Sequence, residues 1–510
     1  MGGALIKNVV IAVILVVLAF VVGSLAADGA KESLGVIAAC VGIFVLLYMG
    51  KNCWWLIFLL PPVLEQFGVS SIFGRLPISY VICGVILVYW LLMRMMGYVK
   101  VTWQSVWWMD LMTLVVLIYF ALTYYWHPVS VRLLGVETEY MGGLAYVWCL
   151  AAMVTYCALG IIPCSLQELG KVLRYAFLLS LVVCLYNTVR GYSSFGGYSA
   201  MVEGASSDRY NLFTAIGQIL FQWMVCKYSL LGIVTSFWKL AALCTAIFAI
   251  ILCGFRESLV RVCSFFLFVS VVKRQLALLA CLFACSYALL LYLSSEEVLV
   301  HAPFGVQRVL SIVPGVKVDP AIKREAQGSS NWRIVMWKWA LDPRTRYIKD
   351  YIWGDGFGLS YYWVKLTTIN INRGRMKMAS QEMFAENGTW HNGFIAIMHR
   401  VGLVGWGLMF LWWLLATFLV LRTCHGLRKR PEQLYIMYTV MFVPVHLIWT
   451  HISAGNSVSF FQTFYYVAIT KVAYCGALKE GIMRPLLTRE HYVPLMVQDV
   501  RRAGAENPSF

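Results

Sequence analysis

Few residues of this chain carry charge. Asp, Glu, Lys and Arg make up 13% of its 510 residues, about half the share usual in soluble proteins. Hydrophobic residues account for 61% and aromatic residues for 15%, and the mean hydropathy is +0.74, which excludes a water-soluble globule. What remains is an all-α, polytopic bundle of transmembrane helices whose side chains face lipid or one another. Acidic residues are the scarcer sign, 24 against 41 Lys and Arg, for a net charge of +17. In a membrane protein such an excess belongs on cytoplasmic loops, so no nucleic-acid partner is expected. Cysteine pairs of the zinc-binding kind are missing too: none of the 15 cysteines forms a CxxC pair, and none falls between Ser295 and Thr389. Cys40, Cys83, Cys149, Cys157, Cys184, Cys244, Cys263, Cys281 and Cys285 lie in apolar runs, where they behave as small hydrophobes. Neither a metal site nor a disulfide framework is expected, and no internal repeat or low-complexity tract is visible.

A helix needs about 20 apolar residues to cross the hydrocarbon core, and fourteen runs approach that length, for about 12–14 spans. They fall near 7–27, 33–50, 53–65, 76–97, 105–126, 140–162, 171–190, 209–227, 235–254, 257–272, 275–294, 390–421, 433–453 and 457–477. The third holds Pro61-Pro62 and is short enough to be re-entrant or interfacial. Read in alternation, Lys7, Lys51, Arg94 with Lys100, Lys171 with Arg174, Lys227, Lys273-Arg274, Arg422 with Arg428-Lys429-Arg430, and Lys471 with Lys479 fall on one side. That side is cytoplasmic by the positive-inside rule, and both termini share it.

The predicted organisation is then an N-terminal block of about 11 spans over 1–294, an extracytoplasmic cap over 295–389, about three spans over 390–477 and a cytoplasmic tail over 478–510. A connection as long as the cap is rare unless it is functional. Its thirteen Lys and Arg against nine Asp and Glu favour an anionic ligand.

Charges at the ends of spans are costly and mark candidate sites. Arg256 lies in the turn Cys253-Gly254-Phe255-Arg256-Glu257-Ser258, where it either serves a site or snorkels and pairs with Glu257. Arg333 belongs to the run from Ser330 to Leu341, closed by Asp342-Pro343. Trp332, Val335, Met336, Trp339 and Ala340 recur at helical spacing there, which predicts an amphipathic helix in the headgroup interface. His391 stands where the cap meets a long span; with Thr389 as N-cap it falls in the first turn, where the helix dipole favours a neutral ring. Arg256, Arg333 and His391 thus reach one depth on one side, with Trp332 and Asn392 beside them expected at the substrate.

Guanidinium forks bind phosphate oxygens, and a neutral imidazole deprotonates a hydroxyl, so a lipid diphosphate donor would use both. Glu137-Thr138-Glu139 could coordinate Mg²⁺ or Mn²⁺ but reads as a solvated loop. His399 and Arg400 mark an internal polar site of open role, and Gly402-Leu403-Val404-Gly405 predicts close helix packing.

Phe255-Arg256, the stretch from Arg333 through Leu341, Gly354-Asp355-Gly356-Phe357-Gly358, and His391-Asn392-Gly393-Phe394-Ile395 running to Gly405 together resemble the O-antigen ligase and polymerase superfamily. These are bacterial membrane enzymes that move glycans from undecaprenyl diphosphate. The resemblance covers about residues 250–410 by motif and the remainder by hydropathy alone. It implies a metal-independent, inverting transfer on the periplasmic face of the inner membrane, with no cofactor. Arg256 and Arg333 would engage the donor diphosphate and His391 the acceptor hydroxyl. Two features depart from the family: Phe255 stands where a small hydroxylic residue is commoner, and the spans outnumber those usual for ligases. The acceptor is a lipid A core for a ligase, a growing glycan for a polymerase, or a protein hydroxyl for an oligosaccharyltransferase, and the motifs lean toward the ligase. A transporter or flippase of a lipid-linked or anionic substrate, and a non-catalytic partner in envelope assembly, are the rival classes.

Overall fold

The computed structural model describes residues 46, 48–66, 78–98, 103–129, 144–162, 164–194, 211–252, 254, 256–358, 385, 390–452 and 458–485. The expected span near 7–27, most of that near 33–50, Glu137, Glu139, Phe255, Thr389 and the end of the tail lie outside them.

All regular structure among the described residues is helical. A 3₁₀ turn at Gly50–Trp55 leads into α1 (Leu56–Gln66), then α2 (Ile78–Met95), α3 (Trp107–Trp126), α4 (Leu144–Gly160) and α5 (Leu166–Ser194). Next come α6 (Asn211–Lys227), the short α7 (Leu230–Val234), α8 (Phe237–Ile251), α9 (Arg256–Lys273) and α10 (Leu276–Ser295). A second 3₁₀ turn at Val298–His301 precedes α11 (Phe304–Leu310) and α12 (Pro320–Leu341). The chain ends in α13 (Gly393–Gly426), α14 (Gln433–Val440), α15 (Phe442–Ile452) and α16 (Val458–Lys479).

Among the described residues, five stretches are long and apolar enough to cross a membrane: α3, Leu166–Thr188 of α5, α10, α13, and Gln433–His451 across α14 and α15. Ser79–Met95, Ala145–Gly160 and Phe237–Ile251 are apolar but shorter. The expected spans near 257–272 and 457–477 are α9 and α16, each interrupted by charge, with Arg256, Glu257 and Arg261 heading α9 and Lys471 inside α16. α1 has 11 residues and contains Pro61 and Pro62, so at about 1.5 Å per residue it is too short to cross.

α3 and α13 lie antiparallel in the core. Trp108 meets Phe418, Trp412 donates to Thr113 Oγ1 at 2.9 Å and Tyr119 donates to the Val401 carbonyl at 2.7 Å. The Trp412 indole stacks on Phe464 of α16, centroids 4.4 Å apart. α9 runs parallel to α13, since the His425 ring lies 3.1 Å from the Val272 carbonyl near both C-termini. The basic residues Arg274, Arg422 and Arg428 to Arg430 therefore gather at one end, and the heads of α9 and α13 at the other.

α13 is two helices joined at a break. Gly402 has φ +67° and ψ −178°, a conformation essentially confined to glycine. The backbone groups freed there are met from outside the helix. Asp355 N and Gly356 N donate to the His399 and Arg400 carbonyls at 2.8 and 2.9 Å, while Leu403 N and Val404 N donate to the Tyr351 and Ile352 carbonyls at 2.8 and 3.2 Å. Gly402-Leu403-Val404-Gly405 thus divides into two roles: Gly402 makes the break and packs against the Ile352 and Trp353 backbone, while Gly405 serves the close helix packing expected of both, its Cα facing the Tyr119 ring.

At the basic end Lys471, 0% exposed, holds Asp110 at 3.0 Å and lies 4.2 and 4.0 Å from the Trp103 and Tyr156 ring centroids. Asp110 also accepts from the Tyr156 hydroxyl at 2.6 Å and the Ser105 hydroxyl at 2.7 Å. Removing one member of such a pair leaves a buried charge without its partner. Lys471→Met should cost about 3–5 kcal/mol, read as a lower unfolding midpoint in detergent, and adding Asp110→Asn should recover most of the loss.

α12 starts ten residues before the helix expected at Ser330, because Asp319 caps it through Ala321 N at 2.6 Å and Pro320 occupies its first turn. It ends at Leu341 as the following Asp342-Pro343 predicts. Met336 and Ala340 are fully buried and Trp332 packs beside them, but Val335 is 39% exposed and Trp337 turns inward in its place.

Candidate active site

Gly254, at φ +71°, turns the chain between α8 and α9. Its Cα faces Gly305 of α11, a backbone approach that a side chain at either position would block. One turn further along α11, Arg308 donates from Nη1 to the Gly254 carbonyl at 2.9 Å and from Nε to Glu325 of α12 at 2.9 Å. α11 therefore fixes the head of α9 against α12.

Across that junction Arg256 donates from Nη1 to Ser330 Oγ at 2.9 Å. Arg333 lies three residues beyond Ser330, on the same face of α12, and Arg256 feels the charges of both Arg308 and Arg333. Glu257 reaches Arg261 at 3.7 Å, so the pairing with Arg256 considered from sequence gives way to one within α9. Burial pulls the Arg333 guanidinium below its ordinary pKa; Arg308 adds to that pull and Glu257 opposes it.

His391 joins the group through the next residue back on α12. Its ring lies 5.3 Å from that of Trp332, inclined at 58°. Burial, seconded by the Arg333 charge, lowers the imidazole pKa from its ordinary 6.5. A neutral ring follows, as the sequence predicts, but by another cause. The helix is capped by Asn392, whose Oδ1 accepts from Ile395 N at 3.2 Å, so His391 precedes α13 instead of occupying its first turn. It does so at φ +50°, in the left-handed region. Asn392, expected at the substrate, spends its side-chain oxygen on that cap.

Four of the five residues singled out from sequence, Arg256, Arg333, Trp332 and His391, are thus linked in one cluster where the heads of α9 and α13 meet the middle of α12. Arg308 was missed: a lone arginine in a seven-residue helix carries no local signal, and the Gly254 and Gly305 approach that places it exists only in the fold.

His399 and Arg400 belong to the break in α13. Arg400 is buried and donates to the Gly358 and Gly356 carbonyls at 2.9 and 3.4 Å. His399 accepts from Trp390 Nε1 at 3.1 Å and faces Asp355 at 3.4 Å. Burial alone would raise the Asp355 carboxyl, but the His399 ring and the Lys349 and Asp350 amides outweigh it and hold the pKa down. The internal polar site read from sequence is therefore a staple for the 354–358 turn.

No protein-family model matches this chain, and no curated protein is significantly similar to it.

Proposed function

We propose that the chain is an integral-membrane glycosyltransferase that takes a saccharide from a polyprenyl diphosphate and transfers it, with inversion and without a metal, to an acceptor hydroxyl. Its membrane is a bacterial inner membrane, with the 295–389 segment as an extracytoplasmic cap and the basic end of the bundle in the cytoplasm. The observation that carries the reading is the grouping of two guanidiniums and an imidazole on α12: Arg256 bonds Ser330, one turn before Arg333, and the half-buried His391 ring lies 5.3 Å from that of the neighbouring Trp332.

Arg256 and Arg333 would engage the diphosphate oxygens through their planar forks. His391 would accept the acceptor's proton as the hydroxyl oxygen bonds to the anomeric carbon. The bond from that carbon to the diphosphate breaks, and the electron pair leaves with the polyprenyl diphosphate, where the guanidiniums offset the new charge. Among acceptors, lipid A core is favoured over a growing glycan or a protein hydroxyl, on the resemblance of the motifs to ligases.

A broken span is also the mark of a transporter, whose freed carbonyls hold the cargo. In α13 the His399, Arg400 and Val401 carbonyls each accept a hydrogen bond, from Asp355, Gly356 and Tyr119, which counts against a cargo site at the break.

The test is detergent-purified protein incubated with synthetic undecaprenyl-diphosphate oligosaccharide, the three acceptor classes and EDTA. Glycosylated acceptor should form with equimolar release of polyprenyl diphosphate; glycolipid movement across proteoliposomes without any transfer would overturn the reading.

The rate should fall as pH drops through the His391 pKa, which lies below 6.5, because the protonated ring cannot accept a proton. Arg333→Gln removes one of the two influences lowering that pKa. The acid limb of its residual rate should therefore move to higher pH.

A further inference from the structure

His391 is held in an unfavourable backbone conformation, and the groups that hold it can be traced. A non-glycine residue in the left-handed region is disfavoured and persists only where its surroundings fix it. On one side Asn392 is locked as the cap of α13. On the other, the carbonyl of the peptide joining Trp390 to His391 accepts from Trp337 Nε1 at 2.9 Å. Trp337 is on α12, the helix that also brings Trp332 and Arg333.

The Trp390 side chain, fully buried, is fixed in turn. Its indole N–H can only donate, so His399 Nδ1, 3.1 Å away, is the acceptor. The ring proton of a neutral His399 then sits on Nε2, which faces Asp355 Oδ2 at 3.4 Å. Asp355 is anchored by the amides of Lys349 and Asp350, both at 2.9 Å, and its own N–H donates to the His399 carbonyl at 2.8 Å. A continuous line of polar contacts thus runs from the 354–358 turn through the first half of α13 to the residue before His391.

We infer that Asp355, His399 and Trp390 are positioning residues, which hold His391 in its left-handed conformation against Trp332 and beside Arg333. The inference rests on His391 as the proton acceptor proposed above. None of the three touches substrate in this role. Their effect is to keep the imidazole where an acceptor hydroxyl would meet it, and a displacement of about 1 Å can cost about 10²-fold in rate.

The test compares Trp390→Phe, His399→Leu and His399→Asn in the full-length protein, each alone and with His391→Ala. Asn keeps an acceptor near the position of Nδ1, whereas Leu keeps only bulk. His399→Leu and Trp390→Phe should lower kcat by about 10²-fold with the donor KM unchanged, and His399→Asn should restore most of it. In the His391→Ala background the same changes should have no further effect on the residual rate. As a readout independent of turnover, carbethoxylation of His391 by diethylpyrocarbonate, followed by peptide mass, should be faster in His399→Leu than in the parent.

An unchanged kcat in His399→Leu, equal losses with and without His391, or failure of Asn to rescue would overturn the inference. If the parent protein transfers no glycan, or His391→Ala transfers normally, the functional reading fails. The carbethoxylation rates then decide the positioning role: faster in His399→Leu upholds it, unchanged overturns it.

Discussion

His391→Ala is expected to slow glycan transfer by about 10²–10⁴-fold while leaving the donor KM unchanged. In the proposed mechanism the imidazole acts on the acceptor, and removing it would take nothing from the groups proposed to face the diphosphate. Arg256→Ala and Arg333→Ala are expected to cost about 10²–10³-fold each, since in the proposed mechanism each guanidinium would face charge that grows as the leaving group departs. They should raise the donor KM as well, because on the same proposal they would also bind the ground-state diphosphate. The three losses should not multiply in the triple variant, as groups that act in one step fail together. Single-turnover rates with purified protein at several donor concentrations separate these outcomes. A triple variant that transfers at the parental rate would remove the site.

Gly402→Ala is expected to destabilise the protein by roughly 2–6 kcal/mol, combining backbone strain of about 1–3 with overpacking of about 1–3. The position admits no side chain: at φ +67° a Cβ would overlap the Ile352 carbonyl, a backbone atom that cannot move without undocking the 351–356 segment. The effect should appear as a lower unfolding midpoint in detergent and as new proteolytic cleavage near Gly354. Gly407→Ala is the control. It lies five residues on in the same helix with nothing within 4 Å of its Cβ position, and should be neutral or stabilising by up to about 1 kcal/mol. Equal midpoints for the two variants would mean that the break is not held by the loop docked into it.

The sequence was legible where one residue's chemistry sufficed. Apolar runs among the described residues are helices, Asp342-Pro343 ends α12, and Trp332, Met336 and Ala340 share a face as their spacing requires. Val335 did not join them, because Trp337 turns inward to reach the Trp390 carbonyl, and periodicity carries no information about that partner. The cap of α13 fell at Asn392 instead of Thr389; both are good caps, and the choice is made by the chain's path into the helix. Gly354 to Gly358 was readable as a motif, but its task of completing another helix's hydrogen bonds depends on residues some fifty positions away. Arg308, and the pairing of Asp110 with Lys471 across 361 residues, left no local trace.

That last separation bears on the order in which the bundle can be finished. At about 5–20 residues per second, roughly 20–70 s of synthesis divide the appearance of the Asp110 carboxylate from that of the ammonium that neutralises it. Until the final helix arrives, the Asp110 carboxylate has the Ser105 and Tyr156 hydroxyls but not its cation. A chain cut short before Lys471 should therefore reach quality control as a less stable bundle with that charge unneutralised.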